Sequence, residues 1–158
     1  MLEKLEHAKE VWGGSLAIFD NWLSARQDIV ILYCELAGLP PHQKVEGSLP
    51  NQEKITLFCQ KLLDYASKGH FEIYEMIIDK CKVDSAANLE KAVRLYARIT
   101  ATTDLTLNFN DKYAESPSES VLLDTFYKDL SVLGEVMESR FEREDELLNV
   151  VHLHHTLS

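Results

Sequence analysis

Glycine and proline are scarce in this chain, six and four among 158 residues. Gly13 and Gly14 are the only adjacent glycines, and neither GxxxxGK nor GxGxxG occurs, which excludes the familiar phosphate-cradling loops. Cysteine is rarer still. Cys34, Cys59 and Cys81 form an odd set without a CxxC pair, so neither a disulfide framework nor a zinc knuckle is indicated. No apolar run approaches the roughly 18 to 20 residues needed to span a bilayer. The opening "MLEKLEHAKEVW" lacks the continuous apolar stretch of a secretory signal. The expectation is a cytoplasmic protein with no membrane contact.

Bases are also in short supply: 16 Lys and Arg face 26 Asp and Glu, for a formal net charge of −10. Such a surface repels a phosphate backbone, and no basic patch strong enough to offset this is found, so direct nucleic-acid binding is not expected. The imbalance is uneven, with 12 acids against 4 bases in residues 101–158 and 7 against 8 in residues 51–100. A basic partner fits that distribution.

What the chain does have is apolar residues at helical spacing nearly throughout, with no persuasive period-2 stretch. From Ser15 to Ala37 the stripe is Leu16, Phe19, Leu23, Val30, Tyr33 and Ala37. It stops at Gly38 with Pro40 and Pro41 beyond. A short helix over residues 2–12 would precede it, broken at Gly13 and Gly14. The linker "GLPPHQKVEGSLP" is too short to separate domains.

A third helix is predicted from Asn51 to Ser67, with Ile55, Phe58, Cys59, Leu62 and Ala66 inward and Gly69 at its end. A fourth carries Phe71, Tyr74, Ile77, Ile78 and Cys81 on one stripe. Asp84 or Ser85 would cap a fifth helix to about Asn110. After the break at Pro117, a final helix runs from about Glu119 to the low 150s, striped by Leu122, Phe126, Leu130, Leu133, Met137, Phe141, Leu148 and Val151. The expected fold is all-α: one domain over residues 1–158, an antiparallel bundle of four main helices plus short extra ones. A monomer is expected.

Helical bundles often house di-iron centres, whose Glu-x-x-His sets two ligands one turn apart. Three residues before His7, His42, His70, His152, His154 and His155 stand Lys4, Leu39, Ser67, Asn149, Val151 and His152, none of them glutamate. The terminal "VVHLHH" reads as a solvated tail rather than a metal site. The cysteines read as buried structural thiols, with Cys59 and Cys81 on apolar stripes and Cys34 beside one. No catalytic set, metal site or cofactor is therefore expected.

Two features resist a purely structural account. Glu144 falls on the apolar line between Phe141 and Leu148, one turn after Arg140, so the pair should close a salt bridge inside the bundle, or else serve a polar cavity or a partner's anchor. On the third helix, Asp64 lies nine residues from inward-facing Ile55. At 100° per residue that is half a turn, so Asp64 faces out. Leu57, Lys61 and Lys68 share its ridge, and an exposed leucine rimmed by charge suits an interface.

The stretches "FCQKLLDYASKGHFEIYE", "NWLSARQDIVILYCELAGLPP" and "ESRFEREDEL" resemble the Rsd/AlgQ family, the regulators of sigma D, and the likeness runs through essentially the whole chain. The resemblance implies a non-enzymatic anti-sigma factor that binds domain 4 of the primary, sigma-70-type factor, whose helix-turn-helix reads the −35 promoter element. It also implies that Asp64 accepts charge-assisted bonds from arginines of sigma, with Leu57, Lys61 and Lys68 along the same ridge.

Trp22, Arg26, His70, Phe71, Tyr74, Arg140 and Glu144 match the family's motifs as well, as contacts or as residues that shape the bundle. Phe71 and Tyr74 are read as core ahead of contact, and His70 as a helix-start residue. Departures from the family pattern gather in residues 42–49, in "NFNDKYAESPSES" and in "HLHHTLS". The alternatives are a metal- or ligand-sensing bundle with Glu144, Arg140 and His70 around a cavity, and a scaffold for another signalling partner.

Overall fold

The computed structural model describes residues 17–39, 51–115 and 117–157, and its elements are helical. The helix expected over residues 2–12 and the linker from residue 40 to 50 lie outside the described residues, as do the side chains of the C-terminal histidines. The elements are α1 (Ala17–Ala37), α2 (Gln52–Lys68), a π-helical turn (Gly69–Ile73), α3 (Tyr74–Asp84), α4 (Ala86–Thr100), α5 (Thr103–Tyr113) and α6 (Glu119–Leu157).

Local chemistry sets most of the boundaries. The Asn51 side chain accepts from the Lys54 N–H at 3.1 Å, the Ser85 hydroxyl from Asn88 N–H at 3.1 Å, and the Ser118 hydroxyl from Val121 N–H at 3.3 Å. Each satisfies a first-turn donor that has no partner within its own helix. At the far end of α1, Gly38 adopts φ 69°, and Leu39 N–H donates back to Cys34 C=O at 3.0 Å. That left-handed cap favours glycine because a Cβ is strained there.

Side-chain pairs give the register. Lys54 with Glu35 and Lys61 with Asp28 run α2 antiparallel to α1. Asn110 with the Cys59 carbonyl, and Thr56 with the Ala114 carbonyl, do the same for α5 on α2. Tyr113 with Asp129, and Thr106 with the Met137 sulfur, set α5 against α6. α6 packs along α1, α3, α4 and α5. The predicted stripes are buried: Ile55, Phe58, Cys59, Leu62 and Ala66 on α2, and Leu122, Phe126, Leu130, Leu133, Met137, Phe141 and Leu148 on α6. The three thiols are free and buried, and burial pushes Cys59 up to about 12, so it stays an unreactive thiol at neutral pH.

Three expectations need correction. Gly69 does not end its helix: its φ −57° and ψ −52° are helical, and Tyr74 N–H reaches back five residues to Gly69 C=O. One extra residue is thus wound into a turn joining α2 to α3. Second, the fifth helix is not continuous to Asn110 but breaks between Thr100 and Thr103. Thr102 Oγ1 donates to Ile99 C=O at 2.6 Å, a side-chain bond that competes with the helical ladder. Arg140 then holds the break by donating to both the Thr102 and Thr103 hydroxyls at 3.2 Å.

The third correction is Phe71, which is not core: it is 69% exposed. The apolar spacing of α3 places it on that helix's inner stripe. The phase of α2 governs it instead, and Leu57, Asp64 and Phe71 fall seven residues apart on one outer line.

Candidate functional site: an outer ridge braced by a buried ionic cluster

At the junction of α1, α2, α3 and α6 lies a charged cluster whose central groups are buried. Glu144 is 0% exposed, Arg26 0% and Arg140 1%. Arg26 enters from α1, with its Nε donating to Tyr65 Oη at 3.0 Å, Nη2 to Glu144 Oε1 at 3.2 Å and Nη1 to Asp145 Oδ1 at 2.7 Å. Its guanidinium lies 5.3 Å from the Trp22 ring centre and 4.7 Å from that of Phe141. Trp22 in turn stacks on Tyr65 at 5.2 Å.

From the other side, Arg140 Nε donates to Glu144 Oε2 at 3.4 Å and Nη2 to Tyr74 Oη at 3.2 Å. Tyr65 donates to Glu144 Oε1 at 2.5 Å, and Tyr74 donates to Oε2. Glu144 therefore takes bonds from two arginines and two tyrosines. Arg26 and Arg140 balance Glu144 and Asp145 in formal charge, which is what allows them below the surface.

The predicted Arg140–Glu144 bridge is present, inside a network that the sequence reading saw only in part. Tyr65, Asp145, Thr102 and Thr103 were missed, and so was Arg26 as the partner of Glu144. Arg26 stands four residues from both Trp22 and Val30, on the apolar line of α1. A charge on that line demands a partner as Glu144 does, but which residue it meets depends on how α1 packs on α6.

Burial by itself would lower Arg26, but Tyr65, Glu144 and Asp145 outweigh it and raise its pKa. Arg140 likewise ends raised, burial being opposed by Glu144. Burial, reinforced by the Glu144 carboxylate, holds Tyr65 and Tyr74 well above the ordinary tyrosine range. Below about pH 10 folded and unfolded chains both keep these protons; above it only the unfolded chain releases them, so stability falls as pH rises. Absorbance at 295 nm should show both phenols ionising only as the helical circular dichroism is lost. All six tyrosines titrating near pH 10 in a still-folded chain would contradict this.

The cluster buries five of the sequence-predicted site residues: Trp22, Arg26, Tyr74, Arg140 and Glu144. They shape the bundle and do not present a surface. His70 sits in the π turn rather than at a helix start, its Nδ1 2.9 Å from Tyr96 Oη and its ring stacked on Tyr96 at 5.6 Å. It is thus engaged by Tyr96, whereas Glu144 is held by Arg140. Phe71 stands edge-on to His70 at 4.9 Å.

Outside lies the ridge. Leu57 is 42% exposed, Asp64 is exposed, and Lys68 is half-buried. Lys61 is 3.9 Å from Asp28, while Asp64 makes no ion pair among the described residues. The carboxylates Glu53, Glu72 and Glu75 are exposed around the same face. The result is an acid between two exposed apolar side chains, mounted on a helix whose inner face is fixed to the cluster through Tyr65.

Comparison with known proteins agrees with the resemblance. The family described as "Regulator of RNA polymerase sigma(70) subunit, Rsd/AlgQ" matches residues 1–152. A regulator of sigma D from Yersinia enterocolitica is 32% identical over 148 residues, covering 94% of this chain and 88% of the relative. One from Pectobacterium carotovorum is 32% identical over 152 residues, covering 96% and 99%. One from Yersinia pestis is 30% identical over 148 residues, covering 94% and 87%. This chain belongs to the Rsd/AlgQ family of regulators of the RNA polymerase sigma(70) subunit.

Proposed function

We propose that the chain is a non-enzymatic, cytoplasmic anti-sigma factor, acting as a single helical domain. It binds domain 4 of the primary sigma factor through the outer ridge of α2 and the π turn. The observation that carries this reading is the Leu57–Asp64–Phe71 line: two exposed apolar groups flank a carboxylate with no ion-pair partner among the described residues. Domain 4 must be basic to approach the −35 element, so an acidic ridge with apolar anchors competes for the same surface that DNA would use. Phe71 is the aromatic anchor, and Asp64 accepts from arginine. Sequestered domain 4 then reaches neither promoter DNA nor core polymerase, which leaves polymerase to other sigma factors.

Calorimetry with isolated sigma domain 4 tests the reading. Wild-type chain should bind with an affinity that falls between low and moderate salt, because charge pairs at the interface are screened. Asp64→Ala and Phe71→Ala should each weaken binding about tenfold or more while keeping wild-type circular dichroism. Failure of the folded wild-type chain to bind would refute the proposal.

A further inference from the structure

The strongest feature that the sigma reading leaves unused is on the α4 side of the molecule. α4 carries Lys91, Arg94 and Arg98 at positions i, i+3 and i+7, within about 60° of one another around the helix. All three are exposed, and none makes an ion pair among the described residues. They line a groove of about 360 Å³ with Leu95, Ala97 and, from α6, Glu146. Glu146, the acid in the lining, pairs along its own helix with Arg143 at 2.8 Å, and Glu90, one turn before Arg94, makes no ion pair among the described residues. In a chain of net charge −10, this leaves a concave site whose lining, three bases to one acid, is net cationic.

We propose that this groove binds an organic polyphosphate: a small molecule with at least two phosphate groups on a planar or apolar body, of which a nucleoside triphosphate is representative. Lys91 to Arg98 spans about 10 Å of helix at 1.5 Å per residue, the reach of a short polyphosphate chain rather than of a single phosphate. Guanidinium forks match phosphate oxygens two at a time and stack on planar rings, and the lysine adds a mobile point charge. Ala97 and the aliphatic stems of the basic side chains offer the apolar surface against which such a body rests. The volume lies within the range of small-molecule sites and is far below what a folded macromolecular partner covers. The site stands apart from the Asp64 ridge, and its occupancy does not depend on sigma.

The test is calorimetry on the full chain without sigma, in magnesium-free low-salt buffer, with ATP, inorganic triphosphate and AMP as probes. The variants are Lys91→Gln/Arg94→Gln/Arg98→Gln and, as a control of equal lost charge, Lys80→Gln/Lys82→Gln/Lys128→Gln. ATP should bind at one site, tighter than triphosphate and at least about tenfold tighter than AMP, and the groove variant should lose at least about tenfold while the control changes less than about twofold. No binding of ATP by the folded chain, or equal binding by the groove variant, overturns the proposal. Equal affinity for ATP and triphosphate overturns its organic part and leaves a bare-anion site. Should the triple variant unfold, Arg94→Gln and Arg98→Gln singly must each still weaken ATP, and no change in either refutes the site.

Discussion

Glu144→Ala is expected to lower the unfolding free energy by about 3–5 kcal/mol, the usual cost of leaving buried charges unpaired. Glu144 is fully buried and accepts from Arg26, Arg140, Tyr65 and Tyr74. Its removal leaves buried Arg140 with no carboxylate partner, takes from Arg26 one of its two, and deprives two buried phenol hydroxyls of their acceptor. Against a typical total of about 5–15 kcal/mol, the loss is a large share of the fold's stability. Glu144→Gln keeps the shape but not the charge and should also be strongly destabilised. Asp145→Ala should cost less, because the Asp145 side chain is 25% exposed and water can replace part of what it gives Arg26. Urea denaturation with an unchanged slope measures all three. A Glu144→Ala loss below about 1 kcal/mol would mean that the cluster is not what holds α1, α2, α3 and α6 together.

The second large effect is at Gly69. A Cβ built there would lie 2.9 Å from Tyr74 Oη and 3.0 Å from Tyr74 Cζ. The Tyr74 ring cannot swing aside, because its hydroxyl is held by Glu144 and Arg140. Gly69→Ala should therefore cost about 1–3 kcal/mol through overpacking, and the π turn should shift to relieve it. Because Phe71 rides on that turn, sigma binding should weaken too. In a Tyr74→Phe background the Oη clash is gone, so the alanine should cost less than it does alone. Strict additivity in that double-mutant cycle would contradict the proposed contact.

The sequence made the bundle legible wherever a single helical phase persisted. α6 and α2 bury the residues that their periodicity selected, because hydrophobic burial follows the 3.6-residue repeat when no residue is inserted. Legibility failed where local bonding altered the repeat. Nothing in "SKGHFEI" distinguishes a glycine that stops a helix from one that lets a tyrosine close over it. The difference lies in Tyr74, whose position depends on Glu144, seventy residues away.

The threonine run "ITATTD" did carry a warning, since hydroxyls that bond to the backbone weaken helix interiors. At the outer ridge, Asp64 and Leu57 were found by phase alone. Phe71 was misassigned because it was counted with the helix after the turn instead of the one before it. The buried cluster was half visible: Glu144 and Arg140 share a helix, whereas Arg26, Tyr65 and Tyr74 come from elements whose approach only the fold reveals.

The outer line of α2 and the π turn is the face proposed to engage sigma domain 4. Titrating isotope-labelled chain with unlabelled domain 4 and following backbone amide shifts tests it most directly. The largest changes should fall between Leu57 and Glu75, centred on Asp64 and Phe71, with α4 and the buried cluster little affected. Large changes confined to α4 or to the outer face of α6, with Asp64 and Phe71 unmoved at saturation, would contradict it.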